Sequence, residues 1–286
     1  MNNIEKNKLL EPYNVYKIKW TPFFILQAIT LIVLRLPFII ILILLAFIYC
    51  HIPLKRSTFF ENFLGRSISF FFGIIIKVEN YKKEIKFPKV IVCNHVSIFD
   101  HFILPGVLPC KYGYAWGNLA SKSFLLSSAA KKFGGVVLNK SNNTSKIQEI
   151  KEYLNSNNPN NEGRMFIFPE GRHTNGKYMI NFKSGGFIHK TDIQPILITT
   201  DNMFLSEKDV YNGIPEYGMK HFHGGVDDKY LLMYLFRFLI NPFVIVKVKF
   251  LPEFKKEEYC SNLRDTSDKV RNIMISYDKR IEKLDL

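Results

Sequence analysis

The feature that most constrains this chain is a long apolar stretch near its N-terminus. Residues 21–50, TPFFILQAITLIVLRLPFIIILILLAFIYC, contain Arg35 as their only charged side chain. An apolar run longer than about 18 residues is typical of a segment embedded in a membrane. The run is too long for the apolar core of a signal peptide, and no small-residue cleavage site follows it. A buried helix in a protein core remains the alternative interpretation.

Two residues in the middle of this run bear on its shape. Pro37 favours a kink, because proline lacks a backbone N–H, and a charge such as Arg35 costs about 2.5 kcal/mol or more at the bilayer centre. We therefore expect a bent pair of helices that dips into one leaflet, with a single span as the alternative. Basic residues on both sides of the run favour the cytosolic side for both ends. These residues are Lys6, Lys8, Lys17, Lys19, Lys55 and Arg56.

After the apolar run, short strand patterns alternate with amphipathic helix patterns. Residues 57–72 are aromatic and amphipathic, which predicts a helix lying at the membrane interface. Apolar runs, several rich in β-branched residues, predict strands at 74–80, 89–93, 136–138, 164–168, 194–199 and 243–250. Helical spacing predicts helices at 123–135, 146–154 and 268–284. This alternation predicts an α/β fold in which helices flank a sheet.

The net charge of the chain limits the classes of binding partner. A formal net charge of +14 at pH 7 favours a polyanion, such as nucleic acid, an anionic membrane surface or a phosphorylated small molecule. The sequence has no aromatic RNA-binding pattern and no recognition helix, so we predict no nucleic-acid partner. The four cysteines show no metal-ligand spacing, which predicts reduced thiols and no metal site.

The motif CNHVSIFDH, residues 93–101, places a histidine and an aspartate five residues apart shortly after a predicted strand. We interpret His95 as a general base in the strand-to-helix turn and Asp100 as the group that fixes its tautomer. Alternatively, Ser97 caps a helix and Asp100 completes a capping box. A zinc site from His95, Asp100 and His101 lacks convincing ligand spacing. Helix capping and strand packing account for Ser97 and Cys93 better than a nucleophilic role does.

Three further motifs end in polar or glycine-rich turns: FIFPEGRHTNG (166–176), NFKSGGF (181–187) and GGVVLNK (134–140). Ligands of α/β proteins bind where strands end, which makes Glu170 a candidate, although it could equally be a surface charge. Lys183 precedes two glycines, including Gly185, so the backbone could approach a phosphate closely. Lys140 ends a short strand and is a second candidate for phosphate binding.

Together and in this order, the motifs resemble those of the glycerophospholipid acyltransferase superfamily. The four blocks are NHVSIFD, GGVVLNK, FPEGR and IQPILI. The runs EGRHTNGKYMINFKSGGF and NPFVIVKVKFLPEF resemble in particular lysophosphatidylcholine and lysophosphatidylethanolamine acyltransferases, which also share an arginine in the N-terminal membrane segment. The resemblance covers nearly the whole chain. Departures are Lys140, where arginine is usual, and Arg172–His173, where Thr-Arg is usual in the wider superfamily.

The resemblance implies a glycerolipid acyltransferase fold, with a mixed sheet flanked by helices and an N-terminal membrane-embedded helical motif. Residues 1–56 would anchor the protein in the membrane, and residues 57–286 would form the catalytic domain. The implied reaction transfers an acyl group from acyl-CoA to the free hydroxyl of a lysophospholipid, with His95 as base and Asp100 as its orienting partner. Neither a covalent acyl-enzyme nor a cofactor is expected, since acyl-CoA is a co-substrate.

Substrate binding is expected from residues in all the motifs. The expected substrate-binding residues are Asn94, Lys140, Glu170, Gly171, Arg172, Lys183 and Gly185. The cations Lys140, Arg172 and Lys183 would hold phosphates of the acceptor or of CoA. The partners would be acyl-CoA, a lysophospholipid and the bilayer, with the catalytic domain on the cytosolic side of the endoplasmic reticulum. Two alternatives stay open: acylation of lysophosphatidate or glycerol-3-phosphate, and a catalytically silent lipid-binding protein on the same fold.

Overall fold

The structure is a computed structural model that describes residues 21–81, 88–117, 124–138, 143–156, 164–174, 176, 178–201, 235–236 and 238–285. Its helices are α1 (Pro22–His51), α2 (Thr58–Phe71), α3 (Asp100–Ile103), α4 (Phe124–Phe133), α5 (Asn143–Asn155) and α6 (Leu263–Ser276). Its strands are β1 (Ile74–Glu79), β2 (Val90–Cys93), β3 (Gly113–Gly117), β4 (Gly135–Leu138), β5 (Met165–Ile167), β6 (Tyr178–Ile180), β7 (Ile193–Asp201), β8 (Val244–Phe250) and β9 (Glu282–Leu284). Short 3-10 helices span Ser184–Phe187 and Lys256–Glu258.

A mixed sheet forms the centre of the molecule. Seven strands follow the order β1-β8-β7-β2-β5-β3-β4, and every neighbouring pair is parallel except the antiparallel pair β7–β8. The strand β2 lies in the middle, paired with both β5 and β7, and all of its side chains are buried. Burial on both faces is typical of parallel strands covered by helices. The predicted α/β fold with a mixed sheet is confirmed.

Alternate residues of β2 belong to two different apolar clusters, because side chains along a strand point to opposite faces. Ile91 packs with a cluster that includes residues of α1, α2 and α3. Val90 and Val92 pack with a cluster that includes residues of α5 and α6. The sheet is therefore covered on both faces, and the carboxyl end of β2 emerges between these two layers.

The helix α1 is longer and more continuous than the sequence suggested. It runs without interruption through Pro37, with Thr21 as its N-cap. The expectation of two helices within residues 21–50 is wrong, because a proline in a long apolar helix removes one backbone hydrogen bond without ending the helix. Within the described part of the chain, α1 alone is long and apolar enough to cross a membrane. The lysines that precede residue 21 lie outside the described residues.

Arg35 is the buried charge that joins α1 to the rest of the protein. Its guanidinium donates hydrogen bonds to the backbone carbonyls of Phe238, Leu239, Asn241 and Pro242. The same group lies over the ring of Phe243, with the guanidinium carbon 5.6 Å from the ring centroid. A charge that would be costly in lipid is thus neutralised by backbone dipoles from the segment before β8.

A buried ion pair fixes the connection between α1 and α2. Arg56 Nη2 lies 2.7 Å from Glu61 Oε2, and Tyr49 donates its hydroxyl hydrogen to Glu61 Oε1 at 2.9 Å. Arg56 also donates to the carbonyls of Tyr112 and Phe133, at the edge of the sheet. Contacts therefore cross residue 56, and the division of the chain into residues 1–56 and 57–286 stays a prediction.

The C-terminal region differs from the sequence prediction. A helix was expected over residues 268–284, whereas α6 ends at Ser276 and residues 282–284 form β9, which pairs in parallel with β6. Arg271, a residue of α6 whose side chain is completely buried, donates hydrogen bonds to backbone carbonyls of both strands. This tertiary contact outweighs the helical spacing. The strands β3, β6 and β9 were not predicted.

Candidate active site

The strand β2 delivers a polar turn to the carboxyl edge of the sheet. Asn94, the first residue after β2, exchanges two side-chain hydrogen bonds with the backbone of Ile198, at 2.9 and 2.8 Å. Its amide therefore extends the pairing of β2 with β7 beyond the last strand residue. This anchoring fixes the position of the next residue, His95. A substrate contact from Asn94 stays a prediction.

His95 and Asp100 form a buried pair. The Nδ1 atom of His95 lies 2.9 Å from Oδ2 of Asp100. The same carboxylate oxygen accepts the backbone N–H groups of Val96 and Ser97, at 2.8 and 3.0 Å. The structure thus combines two interpretations of Asp100 that the sequence left as alternatives, because one oxygen both orients the imidazole and supports the turn. The helix itself begins at Asp100, and Ser97 does not cap it.

Burial sets the charge state of His95. Its surroundings exclude water and lower the pKa of the imidazole well below its ordinary value, and nearby His101 acts in the same direction. The ring is therefore neutral at pH 7. With Nδ1 hydrogen-bonded to Asp100, the other ring nitrogen, Nε2, is the atom that could accept a proton. This is the charge state that a general base requires.

The loop after β5 wraps around His95. The backbone N–H of His95 donates to Oε1 of Glu170 at 2.8 Å, and its carbonyl accepts the N–H of Thr174 at 2.8 Å. The second oxygen of Glu170 accepts the N–H of Ile180, in β6, at 3.2 Å. Glu170 therefore links three segments around the base, and its buried carboxyl group is not a surface charge.

The charge of Glu170 is governed by its burial. Desolvation raises the pKa of this carboxyl group to about 8, although the two backbone hydrogen bonds and the positive charge of Arg271 act in the opposite direction. Burial therefore favours the protonated form of Glu170 near the His95–Asp100 pair. Its geometry supports a positioning function, and a direct contact with the acceptor stays a prediction.

Aromatic rings surround the His95 imidazole. The rings of Phe168 and His173 each have their centroids 3.7 Å from the centroid of the His95 ring. His101 approaches edge-on at 5.4 Å and itself lies parallel to Trp116 at 6.3 Å. Sequence reasoning did not assign a function to Phe168, His173 or Trp116. The signal in the sequence that pointed to His173 was the third block, which has Arg172–His173 where Thr-Arg is usual.

The remaining predicted substrate-binding residues divide into two groups. Gly171 has a φ of +66°, which favours glycine, and an added Cβ would lie 2.5 Å from Nζ of Lys183. Arg172 is half-buried and interacts electrostatically with Glu170, while burial lowers the pKa of its guanidinium. The structure thus brings Gly171, Arg172 and Lys183 to the loop that holds His95.

The structure does not show the other two predicted substrate-binding residues, Gly185 and Lys140, at this loop. Gly185 lies in the 3-10 helix Ser184–Phe187, where the nearest neighbour of an added Cβ is Ile150 of α5, at 3.8 Å. Lys140 lies outside the described residues. Phosphate binding by either residue stays a prediction.

The surroundings of Cys93 and Ser97 do not favour nucleophilic catalysis at this site. Burial raises the pKa of the Cys93 thiol well above its ordinary value, which opposes a thiolate nucleophile. The hydroxyl of Ser97 accepts the backbone N–H of Phe99 at 3.2 Å, as expected of a residue that supports a turn. The described residues contain no group of three or more His, Cys, Asp or Glu side chains suited to a metal ion.

Comparison with known proteins finds a family model and several relatives to which parts of this chain are similar. Residues 73–199 match the model of the Acyltransferase family. The chain is 24% identical over 208 residues to the "Lipid droplet-regulating VLDL assembly factor AUP1" of Xenopus tropicalis, covering 71% of this chain and 43% of that protein. It is 28% identical over 152 residues to the lysophospholipid acyltransferase LPEAT2 of Arabidopsis thaliana, covering 50% and 26%. Against human lysophosphatidylcholine acyltransferase 2 it is 26% identical over 145 residues, covering 49% and 26%.

These matches cover less than half of each of the three relatives' own length. The crystal structure of the 1-acyl-sn-glycerophosphate (LPA) acyltransferase PlsC from Thermotoga maritima is similar over 90% of this chain and 97% of that chain, with a TM-score of 0.50 and 16% identity. At that identity the likeness shows the fold alone. The resemblance predicted from the four sequence blocks is thus confirmed, since residues 73–199 match the acyltransferase family model and about half of the chain is similar to relatives named lysophospholipid or lysophosphatidylcholine acyltransferases.

Proposed function

We propose that this protein transfers an acyl group from acyl-CoA to the free hydroxyl of a lysophospholipid, with lysophosphatidylcholine or lysophosphatidylethanolamine as acceptor. The observation that carries the proposal is the 2.9 Å contact between His95 Nδ1 and Asp100 Oδ2, which orients a buried and neutral imidazole. The choice of acceptor rests on similarity to relatives named lysophospholipid or lysophosphatidylcholine acyltransferases.

The proposed reaction needs one base and no covalent enzyme intermediate. His95 Nε2 removes the proton of the acceptor hydroxyl as the oxygen attacks the thioester carbonyl, which forms a new C–O bond. The C–S bond then breaks, and the imidazolium returns its proton to the leaving CoA sulfur. Asp100 stabilises the imidazolium and holds Nδ1 in its N–H tautomer. Base catalysis of this kind contributes on the order of a hundred- to ten-thousand-fold in rate.

The surrounding cations support a phosphorylated substrate. Lys183 lies against Gly171 in the loop that holds His95, and Arg172 follows directly. We propose that they bind phosphate groups of the acceptor or of CoA, together with Lys140. The proposal needs no metal and no cofactor beyond the co-substrate. It places the protein in the endoplasmic reticulum membrane, with residues 57–286 as a catalytic domain that faces the cytosol, where acyl-CoA is available.

The test is an assay of the purified protein in detergent or vesicles against a panel of acceptors. The panel contains lysophosphatidylcholine, lysophosphatidylethanolamine, lysophosphatidate and glycerol-3-phosphate, each with acyl-CoA of several chain lengths. We expect transfer to one of the first two acceptors and its loss in His95→Ala. Transfer to lysophosphatidate or glycerol-3-phosphate alone would replace the proposed acceptor while retaining the reaction. Wild-type activity in His95→Ala would overturn the base assignment.

A second candidate function is membrane-lipid binding without acyl transfer. The observation that favours it is the match to a lipid-droplet-regulating assembly factor over 71% of this chain. The intact His95–Asp100 pair favours catalysis instead, since a protein that only binds lipid has no use for a buried base. Lipid-vesicle binding that is equal in wild type and His95→Ala, with no acyl transfer by either protein, would support this second function.

A further inference from the structure

Four successive contacts enclose His95 within the segment of residues 168–174. Phe168 and His173 contact its ring, while Glu170 and Thr174 bind its backbone N–H and carbonyl, each at 2.8 Å. One short segment therefore holds both the main chain and the side chain of the proposed base. The two backbone contacts fix where His95 lies, whereas the two ring contacts bear on how its imidazole is turned.

The two ring contacts indicate that Phe168 and His173 pack against opposite faces of the imidazole. The Phe168 ring is inclined by 17° to the His95 ring and the His173 ring by 38°, and both centroids lie 3.7 Å away. Two aromatic rings at that distance on one face would overlap each other, since carbon atoms make contact at about 3.5–4.0 Å. The imidazole is therefore held between them.

This arrangement supplies a constraint that Asp100 does not. The hydrogen bond at Nδ1 tolerates some misalignment, so small rotations of the ring about the Cα–Cβ and Cβ–Cγ bonds would still move Nε2 out of line with a substrate hydroxyl. Rings in van der Waals contact on both faces prevent such a turn, because any rotation drives the imidazole into one of them. A misplacement of about 1 Å in a reacting group can cost roughly 100-fold in rate.

We propose that His173 is a positioning residue, whose tilted ring packs against the face of His95 that Phe168 leaves open and so holds Nε2 directed towards the acceptor hydroxyl. The expected effect on kcat rests on the proposed function. The expected effect on the orientation of the His95 ring rests on the ring contacts alone. It also gives a physical reason for the altered third block, in which residues 172 and 173 are arginine and histidine.

Two substitutions of similar size separate stacking from polarity at this position. His173→Phe keeps an aromatic ring and removes the polar atoms, whereas His173→Gln keeps hydrogen-bonding capacity and removes the ring. We expect His173→Phe to retain kcat within about threefold, and His173→Gln to lose kcat by about 10- to 100-fold with KM nearly unchanged. His189→Gln, at a half-buried histidine outside the described site, is the matched control and should leave both constants unchanged.

The opposite pattern, an active glutamine variant and an impaired phenylalanine variant, would show that a polar contact of His173 matters and would overturn the proposal. Equal activity of both variants and wild type would also overturn it. If either variant is purified as aggregate, the comparison is repeated with His173→Tyr and His173→Asn, which pose the same question with different volumes.

A spectroscopic measurement makes the inference independent of the proposed reaction. In protein with 15N-labelled histidine, the proton shared by His95 Nδ1 and Asp100 should give a slowly exchanging, low-field resonance, identified by its loss in His95→Gln. We expect His173→Phe to preserve this resonance and His173→Gln to broaden it or speed its exchange. If wild type transfers no acyl group, the proposed function fails while this comparison still decides whether His173 fixes the ring. An unchanged resonance in His173→Gln would refute the positioning function.

Discussion

One oxygen of Asp100 accepts three hydrogen bonds, from the His95 ring and from the backbone of Val96 and Ser97. An isolated motif of this kind leaves orientation of a base and support of a turn as competing explanations. The structure shows that they are the same contact, since the turn brings its N–H groups to the oxygen that holds the imidazole. Substitutions at the site must therefore be judged by activity and by stability together.

Asp100→Asn should lower both the activity and the stability of the protein. The amide can replace only part of the carboxylate's contacts and cannot stabilise an imidazolium, so we expect kcat to fall by about 100-fold or more. Ser97→Ala is the matched control, because the Ser97 hydroxyl supports the same turn by accepting the backbone N–H of Phe99. It should lower stability by about 1 kcal/mol and leave kcat per folded molecule unchanged. Steady-state kinetics and thermal unfolding of the two variants check this; a stability loss without a kcat loss in Asp100→Asn would contradict it.

Glu170 should make stability depend on pH. Because its folded-state pKa of about 8 lies above its ordinary value of 4.5, the stabilising contribution is complete below pH 4.5 and is lost as the pH rises through about 8. We expect the thermal midpoint of the wild type to fall between about pH 6 and about pH 9, and Glu170→Gln to show a smaller fall. The variant should be less stable overall, since an amide offers one acceptor oxygen to two backbone N–H groups. Parallel slopes for the two proteins would exclude Glu170 as the titrating group.

At the scale of elements, α1 carries a buried charge, Arg35, that binds a distant segment of the chain. Its buried side chains form one stripe along the helix: Ala28, Arg35, Ile39, Leu42 and Tyr49. The remaining faces are mostly exposed and apolar, as expected of a helix surrounded by lipid. Arg35 lies at the middle of this stripe and binds the segment before β8. The helix is thus part of the folded core and also a candidate membrane span.

Arg35→Met should separate membrane insertion from folding. Removing the charge makes the segment easier to insert in lipid, so membrane retention should be unchanged. It also leaves four backbone carbonyls without their donor, which should cost about 3 kcal/mol or more in the free energy of unfolding. The free energy of unfolding of Arg35→Lys should lie between those of the wild type and Arg35→Met, because one ammonium group cannot reach all four carbonyls. Carbonate extraction and thermal unfolding in detergent measure the two effects; a stable Arg35→Met protein would contradict the assigned contact.

Elements with strong periodicity were predictable, and those made by distant contacts were not. The strands at 74–80, 89–93 and 243–250 follow from their apolar, β-branched composition, and the pair of His95 and Asp100 follows from its place after a strand. The strand β9 could not be predicted, because its pairing with β6 depends on the buried Arg271. The stacked His173 could not be predicted either, since β2 and the loop after β5 meet only through the sheet.

For the molecule as a whole, the site depends on segments that are far apart in the chain. The carboxyl group of Glu170 binds Ile180, the last residue of β6, and β6 pairs with β9 near the C-terminus. Arg271 bridges both strands by donating to the carbonyls of Met179 and Leu284. The end of the chain therefore supports the loop that surrounds His95.

Deletion of residues 282–286 should impair catalysis from a distance. Loss of β9 leaves β6 unpaired and removes part of the hydrogen bonding of Arg271, so the contact between Ile180 and Glu170 should loosen. We expect kcat per folded molecule to fall about tenfold, with a smaller change in KM. Lys283→Ala, an exposed change within the same strand, serves as control and should behave as wild type. Full activity of the shortened protein at equal folded concentration would show that β9 does not support the site.

Orientation in the membrane can be tested through three adjacent glycosylation sequons, two of which overlap. They begin at Asn139, Asn142 and Asn143, next to Lys140. Because the proposed domain faces the cytosol, we expect none to carry sugar when the protein is made in a eukaryotic cell. Endoglycosidase treatment followed by electrophoresis measures this. A mobility shift that disappears in Asn142→Gln/Asn143→Gln would place the domain in the lumen.

The contacts of Arg35 and Arg56 also determine what a protease could release. A cut in the linker between α1 and α2 would break the polypeptide, yet the buried hydrogen bonds of Arg35 to residues 238–242 would remain. The two fragments would therefore stay together as a nicked protein and remain at the membrane. Such a cut would therefore not release a soluble fragment by itself, because α1 is held to the rest of the fold by these contacts.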